Sequence, residues 1–261
     1  MGRIIALVNQ KGGVGKTTTA VNLTAALHQA GLKTLLCDFD PQANATSGLG
    51  VEKGHTPSSS YDVVIKAVVH TDFGDLIPSS AALSGAGVEL VGTEGREFVL
   101  KNALAPLKDS YDVILIDCPP SLELLTLNAL CAADSVLIPV QAQYFSMRGL
   151  LQLIRTIDKV QRRQNPRLKI EGIVLTLVDN RTNLSRDVSA MLRDAYGANV
   201  HIFKTEIPMC VRAAESPSFG KSIFDYDPRG KATLAYEQLA REVLTLGRKK
   251  ELGRGGFAPT R

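Results

Sequence analysis

Ile4-Ile5-Ala6-Leu7-Val8, followed closely by Lys11-Gly12-Gly13-Val14-Gly15-Lys16-Thr17-Thr18, decides the fold. The first run reads as a short core strand. The second is a glycine-rich turn leading into a helical pattern, Thr17 to Ala30, that stops at Gly31. Glycines let the backbone fold tightly with consecutive N–H groups pointing inward, and the helix N-terminus adds its positive end, so the turn suits phosphate. Lys16 is expected to reach the β- and γ-phosphates and the Thr17 hydroxyl to ligate Mg²⁺. The ordinary motif has glycine where this chain has Gln10, and here a second lysine, Lys11, precedes the glycines.

Outward from this turn, apolar runs alternate with helical patterns. Thr34 to Cys37, Val88 to Val91, Val113 to Ile116, Val136 to Val140 and Ile170 to Leu177 read as strands covered on both faces. Leu122 to Cys131, Met147 to Arg163 and Leu184 to Tyr196 read as helices. The series predicts an α/β fold with a doubly wound, mostly parallel sheet and helices on both faces. Gly48 to Gly87, rich in Ser, Gly and Pro, is expected to be loops with one short helix at Val63 to Val69. One domain is expected over 1–246, and a basic, frayed tail over 247–261.

In such a sheet, acids at strand ends face the phosphate turn. Val113-Ile114-Leu115-Ile116-Asp117 is four apolar residues ending in an acid, and Asp117 is expected to hold Mg²⁺ directly or through water. A second strand ends in Cys37-Asp38-Phe39-Asp40-Pro41-Gln42.

Composition narrows the field. A net charge of +4 permits an anionic partner without identifying one. Cys37, Cys118, Cys131 and Cys210 form no CxxC pair, which argues against a zinc site or a redox dithiol. The N-terminal apolar run lacks the length and cleavage site of a signal peptide, and Ala6 stands where myristoylation wants Ser or Thr. No apolar stretch approaches the roughly 18 residues of a membrane span.

Lys-Gly-Gly-x-Gly-Lys-Thr at Lys11 to Thr17 resembles the deviant P-loop of the family containing ParA/Soj partitioning ATPases, the division-site protein MinD and the nitrogenase iron protein. Cys118-Pro119-Pro120-Ser121, Ala213 to Lys221 and Tyr226 to Gly230 are similar to the ParA/Soj pattern within it. Ser216 and Phe219 stand where that pattern usually has Ala and His. The resemblance implies a Mg²⁺-dependent ATPase that binds ATP and ADP and dimerises with ATP. It further implies non-specific DNA as a partner, stimulation by a ParB-like protein, and a cytoplasmic, nucleoid-associated location with no membrane partner. It implies that Lys11 reaches the partner subunit's nucleotide, that Asp40 positions the attacking water, and that Asp38 supports the Mg²⁺ shell. The cradle would comprise Gly12, Gly13, Val14, Gly15, Lys16, Thr17 and Thr18, with adenine near Asp179, Pro208 and Val211. Met209-Cys210 departs from the Arg-Asn common in relatives.

A MinD-like membrane ATPase is the runner-up, and the glycine-rich tail offers it no amphipathic face. A nucleotide-gated adaptor with little turnover is a third class. Since the first strand begins at residue 3, no preceding sequence-specific DNA-binding domain is expected. For DNA, a helix over Leu184 to Tyr196 would bury Val188, Met191, Leu192 and Ala195 and project Arg186 and Arg193 together from the other side. Arg181 precedes it, and Arg162, Arg163, Arg167 and Lys169 cluster nearby. No base-reading motif accompanies them, so any binding would be non-specific.

Overall fold

In the computed structural model, which describes residues 2–51, 68–85, 89–90, 92–143 and 146–252, strand β1 (Arg3–Leu7) lies inside an eight-stranded sheet. The others are β2 (Thr34–Asp38), β3 (Val69–Thr71), β4 (Gly74–Ile77), β5 (Val113–Asp117), β6 (Ser135–Gln141), β7 (Lys169–Val178) and β8 (Ile202–Pro208), in the order β3-β4-β2-β5-β1-β6-β7-β8. Only β3 and β4 pair antiparallel. The chain leaves β1 toward β2 on one side and later crosses from β5 to β6 on the other. Strand order therefore reverses around β1, where doubly wound sheets open a ligand crevice at their C-terminal ends.

The helices are α1 (Lys16–Gln29), α2 (Asn44–Gly48), α3 (Val99–Leu104), α4 (Leu124–Ala132), α5 (Ser146–Arg163), α6 (Asn183–Tyr196), α7 (Val211–Glu215), α8 (Ile223–Tyr226) and α9 (Lys231–Leu252). Every residue of β2 and β5 is buried, because helices cover both faces. On one face Ile4, Ala6, Ile114 and Ile116 pack with Leu130, Leu153, Ile157 and Leu192. On the other, Ile5, Leu7 and Leu115 pack with Leu23, Leu27, Tyr236 and Leu239. Leu23 is fully buried, and truncating it to Ala would cost about 2–5 kcal/mol.

The expected architecture is present, with local corrections. Glu89 is helical and Leu90 lies in a turn, so the strand expected at Val88 to Val91 does not form there; Val88 and Val91 lie outside the described residues. The strand between β2 and the sheet edge is instead β4, with β3 outside it, both in the stretch read as loops. Of the short helix expected at Val63 to Val69, Val69 belongs to β3, and 63–67 lie outside the described residues. Helix α9 continues through Gly247 to Leu252, where a frayed end was expected; 253–261 lie outside the described residues.

Strand β8 closes one end of the sheet, and a side chain meets it where its register with β7 shifts between Ile202 and Glu206. The Glu242 carboxylate of α9 accepts from the backbone N–H of Lys204 (3.0 Å) and of Thr205 (2.9 Å).

Candidate active site

The turn between β1 and α1 is held from beneath. Asn9 is 5% exposed; its amide donates to the Pro139 carbonyl (2.7 Å) on β6 and its Oδ1 accepts from the Lys11 N–H (3.0 Å). Gly13 (φ 70°) and Gly15 (φ 74°) adopt left-handed conformations that only glycine takes without strain. Gly15 caps α1 without a side-chain bond, so the first N–H groups of a 14-residue helix face the turn with the positive end of its dipole. Gly12, Gly13, Gly15, Lys16, Thr17 and Thr18 line an open cleft of about 500 Å³, which Asp40, Ser47, Pro120 and Pro217 also border. Val14 is buried and is not among the residues lining this cleft.

Lys16 is 7% exposed, and its ammonium donates to the Lys11 carbonyl at 3.1 Å. Burial pushes its pKa down, while Asp117, Cys118 and Asp40 oppose that shift. Lys11 is less enclosed, and its Nζ donates to Gln143 Oε1 at 2.8 Å within the same subunit.

The acids behave differently from one another. Asp38 Oδ2 accepts from the Thr46 N–H (2.8 Å) and hydroxyl (2.7 Å), and Oδ1 from the Asp40 N–H (3.3 Å). Asp38 is thus committed to holding α2. Asp40 is 6% exposed, borders the cleft, and accepts from the Gln42 N–H at 3.0 Å. Asp117 is fully buried, and neither of its oxygens has a hydrogen-bond partner. Burial pushes its pKa well up, with Asp38 and Asp40 adding to the rise; Thr17, close but outside hydrogen-bond geometry, and Lys16 oppose it. A buried carboxylate left without donors is costly unless a cation meets it. Asp117, Thr17 and Asp40 are oxygen donors suited to Mg²⁺, which takes few protein ligands and completes its shell with phosphate and water. No group of three or more His, Cys, Asp or Glu able to hold a metal occurs among the described residues.

The base-site candidates separate. Pro208 and Val211 line a cavity of about 350 Å³ with Met209, Cys210, Arg212, Asp227 and Lys231. Asp179 is not among its walls. Its carboxylate takes both Nε (2.8 Å) and NH2 (2.8 Å) of Arg181, whose hydrogen bonds hold it down to about 2.

The arginine face also differs from expectation. In α6 the buried positions are Ser185, Val188, Ser189 and Leu192, while Met191 and Ala195 are exposed. The inward stripe is rotated so that Ser185 and Ser189 are buried, the Ser185 hydroxyl accepting from the Asp179 N–H at 3.3 Å. Arg193 consequently turns toward β8, donating to the Phe203 carbonyl (3.2 Å) and Glu206 (3.1 Å). Arg186 is exposed and bonds Asn183. Arg193 and Arg186 therefore do not present one cationic pair.

The glycine cradle, buried lysine and strand-end acids at the switch point define a P-loop nucleoside triphosphatase of the kind with a second lysine before its glycines. Residues 2–170 match the family described as AAA domain. The chain is 50% identical over 256 residues to the sporulation initiation inhibitor protein Soj of Bacillus subtilis, covering 95% of this chain and 100% of that protein. It is 48% identical to the chromosome partitioning protein ParA of Myxococcus xanthus, covering 94% and 88%. Among solved structures, cobyrinic acid a,c-diamide synthase from Mycobacterium smegmatis with bound ADP and magnesium gives a TM-score of 0.83 at 38% identity, covering 96% and 97%. The chain belongs to the ParA/Soj family of chromosome-partitioning ATPases.

Proposed function

We propose that this chain is a Mg²⁺-dependent ATPase that acts as a dimerisation switch in DNA segregation. The observation that carries the reading is the fully buried Asp117 carboxylate at the end of β5, without a hydrogen-bond partner and within electrostatic reach of Lys16 in the glycine-rich cradle. Gly12 to Thr18 hold the phosphates through backbone N–H groups, and Lys16 supplies the charge that grips the β- and γ-phosphates. When bound, Mg²⁺ neutralises charge developing on the phosphates, and Thr17 and Asp117 would hold it. Asp40, at the cleft wall, orients the attacking water, and Asp38 fixes that wall through Thr46. Pro208 and Val211 are the base-site residues the cavity supports best. Lys11 leaves Gln143 to reach a partner subunit's nucleotide.

As an ATP-bound dimer the chain binds DNA non-specifically, and a ParB-like protein stimulates hydrolysis and release. Exposed Arg155, Lys159 and Arg163 lie along one face of α5, continued by Arg167 and Lys169, and support phosphate contact better than Arg193 does. No helix among the described residues is long and apolar enough to cross a bilayer. Phosphate release measured with and without Mg²⁺, and pelleting with DNA against anionic liposomes, tests the reading. Mg²⁺-dependent turnover and DNA pelleting are expected; liposome pelleting alone, or absence of turnover, overturns it.

A further inference from the structure

We infer that Thr176 is a positioning residue for the phosphate cradle, acting from behind the loop and not on the nucleotide; the inference rests on the ATPase reading above. Thr176 lies near the tip of β7 and is 1% exposed. Its hydroxyl donates to the Val14 carbonyl, 162 residues away in sequence, at 2.8 Å, with both groups buried. A trans peptide unit is planar, so its C=O and N–H point in opposite directions. Drawing the Val14 carbonyl back toward β7 therefore turns the Gly15 N–H forward, and Gly15 lines the cleft. That N–H is a donor a phosphate oxygen would meet.

The surroundings explain why this bond falls here. Leu177, the next residue, has φ 53°, a left-handed conformation rare for a non-glycine residue in a strand, and the β7–β8 register shifts between Leu175 and Val178. The strain is confined to the residue that turns the strand end beside the loop. A Cβ placed on Gly15 would lie 3.9 Å from the Thr176 Cβ, so strand tip and loop are at van der Waals distance. Asn9 fixes the start of the loop from β6. Thr176 acts on its middle, where glycines leave the backbone with no side chain to set it.

The competing account is that Thr176 only satisfies a buried carbonyl. Thr176→Val separates the two, because it keeps the shape and removes the donor. If the hydroxyl sets the peptide, the freed peptide rotates to find another partner, so the nucleotide-free melting temperature stays near wild type and binding weakens. If the peptide stays in place, the buried carbonyl is left unpaired and the loss appears in the melting temperature instead. The full chain is titrated with ADP and with ATP by calorimetry, alongside nucleotide-free melts and steady-state kinetics. Thr176→Val should weaken both nucleotides about ten-fold, with KM rising more than kcat falls, and Thr176→Ser should restore binding to within about two-fold. Wild-type affinity in Thr176→Val, with a lowered melting temperature, overturns the inference. Should Thr176→Val fail to fold, Thr176→Ala against Thr176→Ser decides, and equal affinities in that pair overturn it. A wild-type chain that binds neither ADP nor ATP defeats the ATPase reading itself, an outcome distinct from the others.

Discussion

Asp38 and Asp117 stand in register at the ends of the adjacent strands β2 and β5, both fully buried, yet only Asp38 has its oxygens hydrogen-bonded. Burial raises the proton affinity of each above that of a free aspartate, with repulsion from Asp40 adding to the rise at Asp38 and repulsion from Asp38 and Asp40 adding to it at Asp117. The folded chain therefore holds protons that the unfolded chain has lost, between the ordinary aspartate range and the raised values. By linkage, stability of the nucleotide-free chain falls as pH rises through that window. Asp117→Asn should remove much of this penalty. We expect it to flatten the pH dependence, to raise the nucleotide-free melting temperature above neutral pH by roughly 2–4 °C per kcal/mol recovered, and to abolish Mg²⁺-dependent hydrolysis. Scanning fluorimetry across pH checks this; a lower melting temperature at alkaline pH would contradict it.

Lys16 and Asp40 border the same cleft with separable tasks. Lys16→Ala should weaken ATP binding by about 10- to 100-fold, the scale of a charge-assisted hydrogen bond. Asp40→Ala should retain ATP binding and lower turnover by about 10²–10⁴, leaving the ATP-bound dimer to accumulate. Nucleotide titration and phosphate release distinguish them, and wild-type turnover in Asp40→Ala removes the water-positioning role.

Lys11 donates to Gln143 inside one subunit, so the cross-dimer role proposed for it requires that contact to break. Two triphosphates facing each other repel unless cations lie between them. Lys11→Ala in an Asp40→Ala background should keep ATP affinity within about two-fold and lose ATP-dependent dimerisation. Sedimentation with ATP reads the result; a dimer as tight as that of Asp40→Ala alone makes Lys11 a solvated loop residue.

The two α6 arginines should part company. Arg193→Ala breaks a half-buried pair with Glu206 and is expected to cost up to about 1 kcal/mol of stability without changing the salt dependence of DNA binding. Arg186→Glu and Arg163→Glu, both at exposed positions, should each weaken binding on any sequence and reduce the salt slope by about one. DNA titrations at several salt concentrations decide.

What could be read in the chain beforehand was local. The cradle and the acid ending β5 depend on a strand, a turn and a helix start within a few residues, and both stand where expected. Strands β3 and β4 escaped because Val-His-Thr and Gly-Asp-Leu-Ile are too short for any period to emerge. Strand β8 alternates Lys204 and Glu206 with buried residues and ends in Pro208, a half-polar edge pattern unlike the apolar runs that flagged the other strands. The α6 stripe departs from hydrophobicity because Ser185 and Ser189 are buried while Met191 is exposed, with Ser185 bonded to the Asp179 N–H. Asp38's capture by Thr46 and the bond from Thr176 to Val14 pair residues that no spacing links.

The carboxylate of Glu242 bound to β8 bears on how the molecules behave in a crowded solution. An open sheet edge is a template on which another chain can add a strand, the first step toward insoluble assemblies. On this edge strand, two N–H groups at the irregularity in β8 are already taken by α9. Glu242→Ala, which frees these groups, should therefore fold yet precipitate sooner on concentration or mild heating.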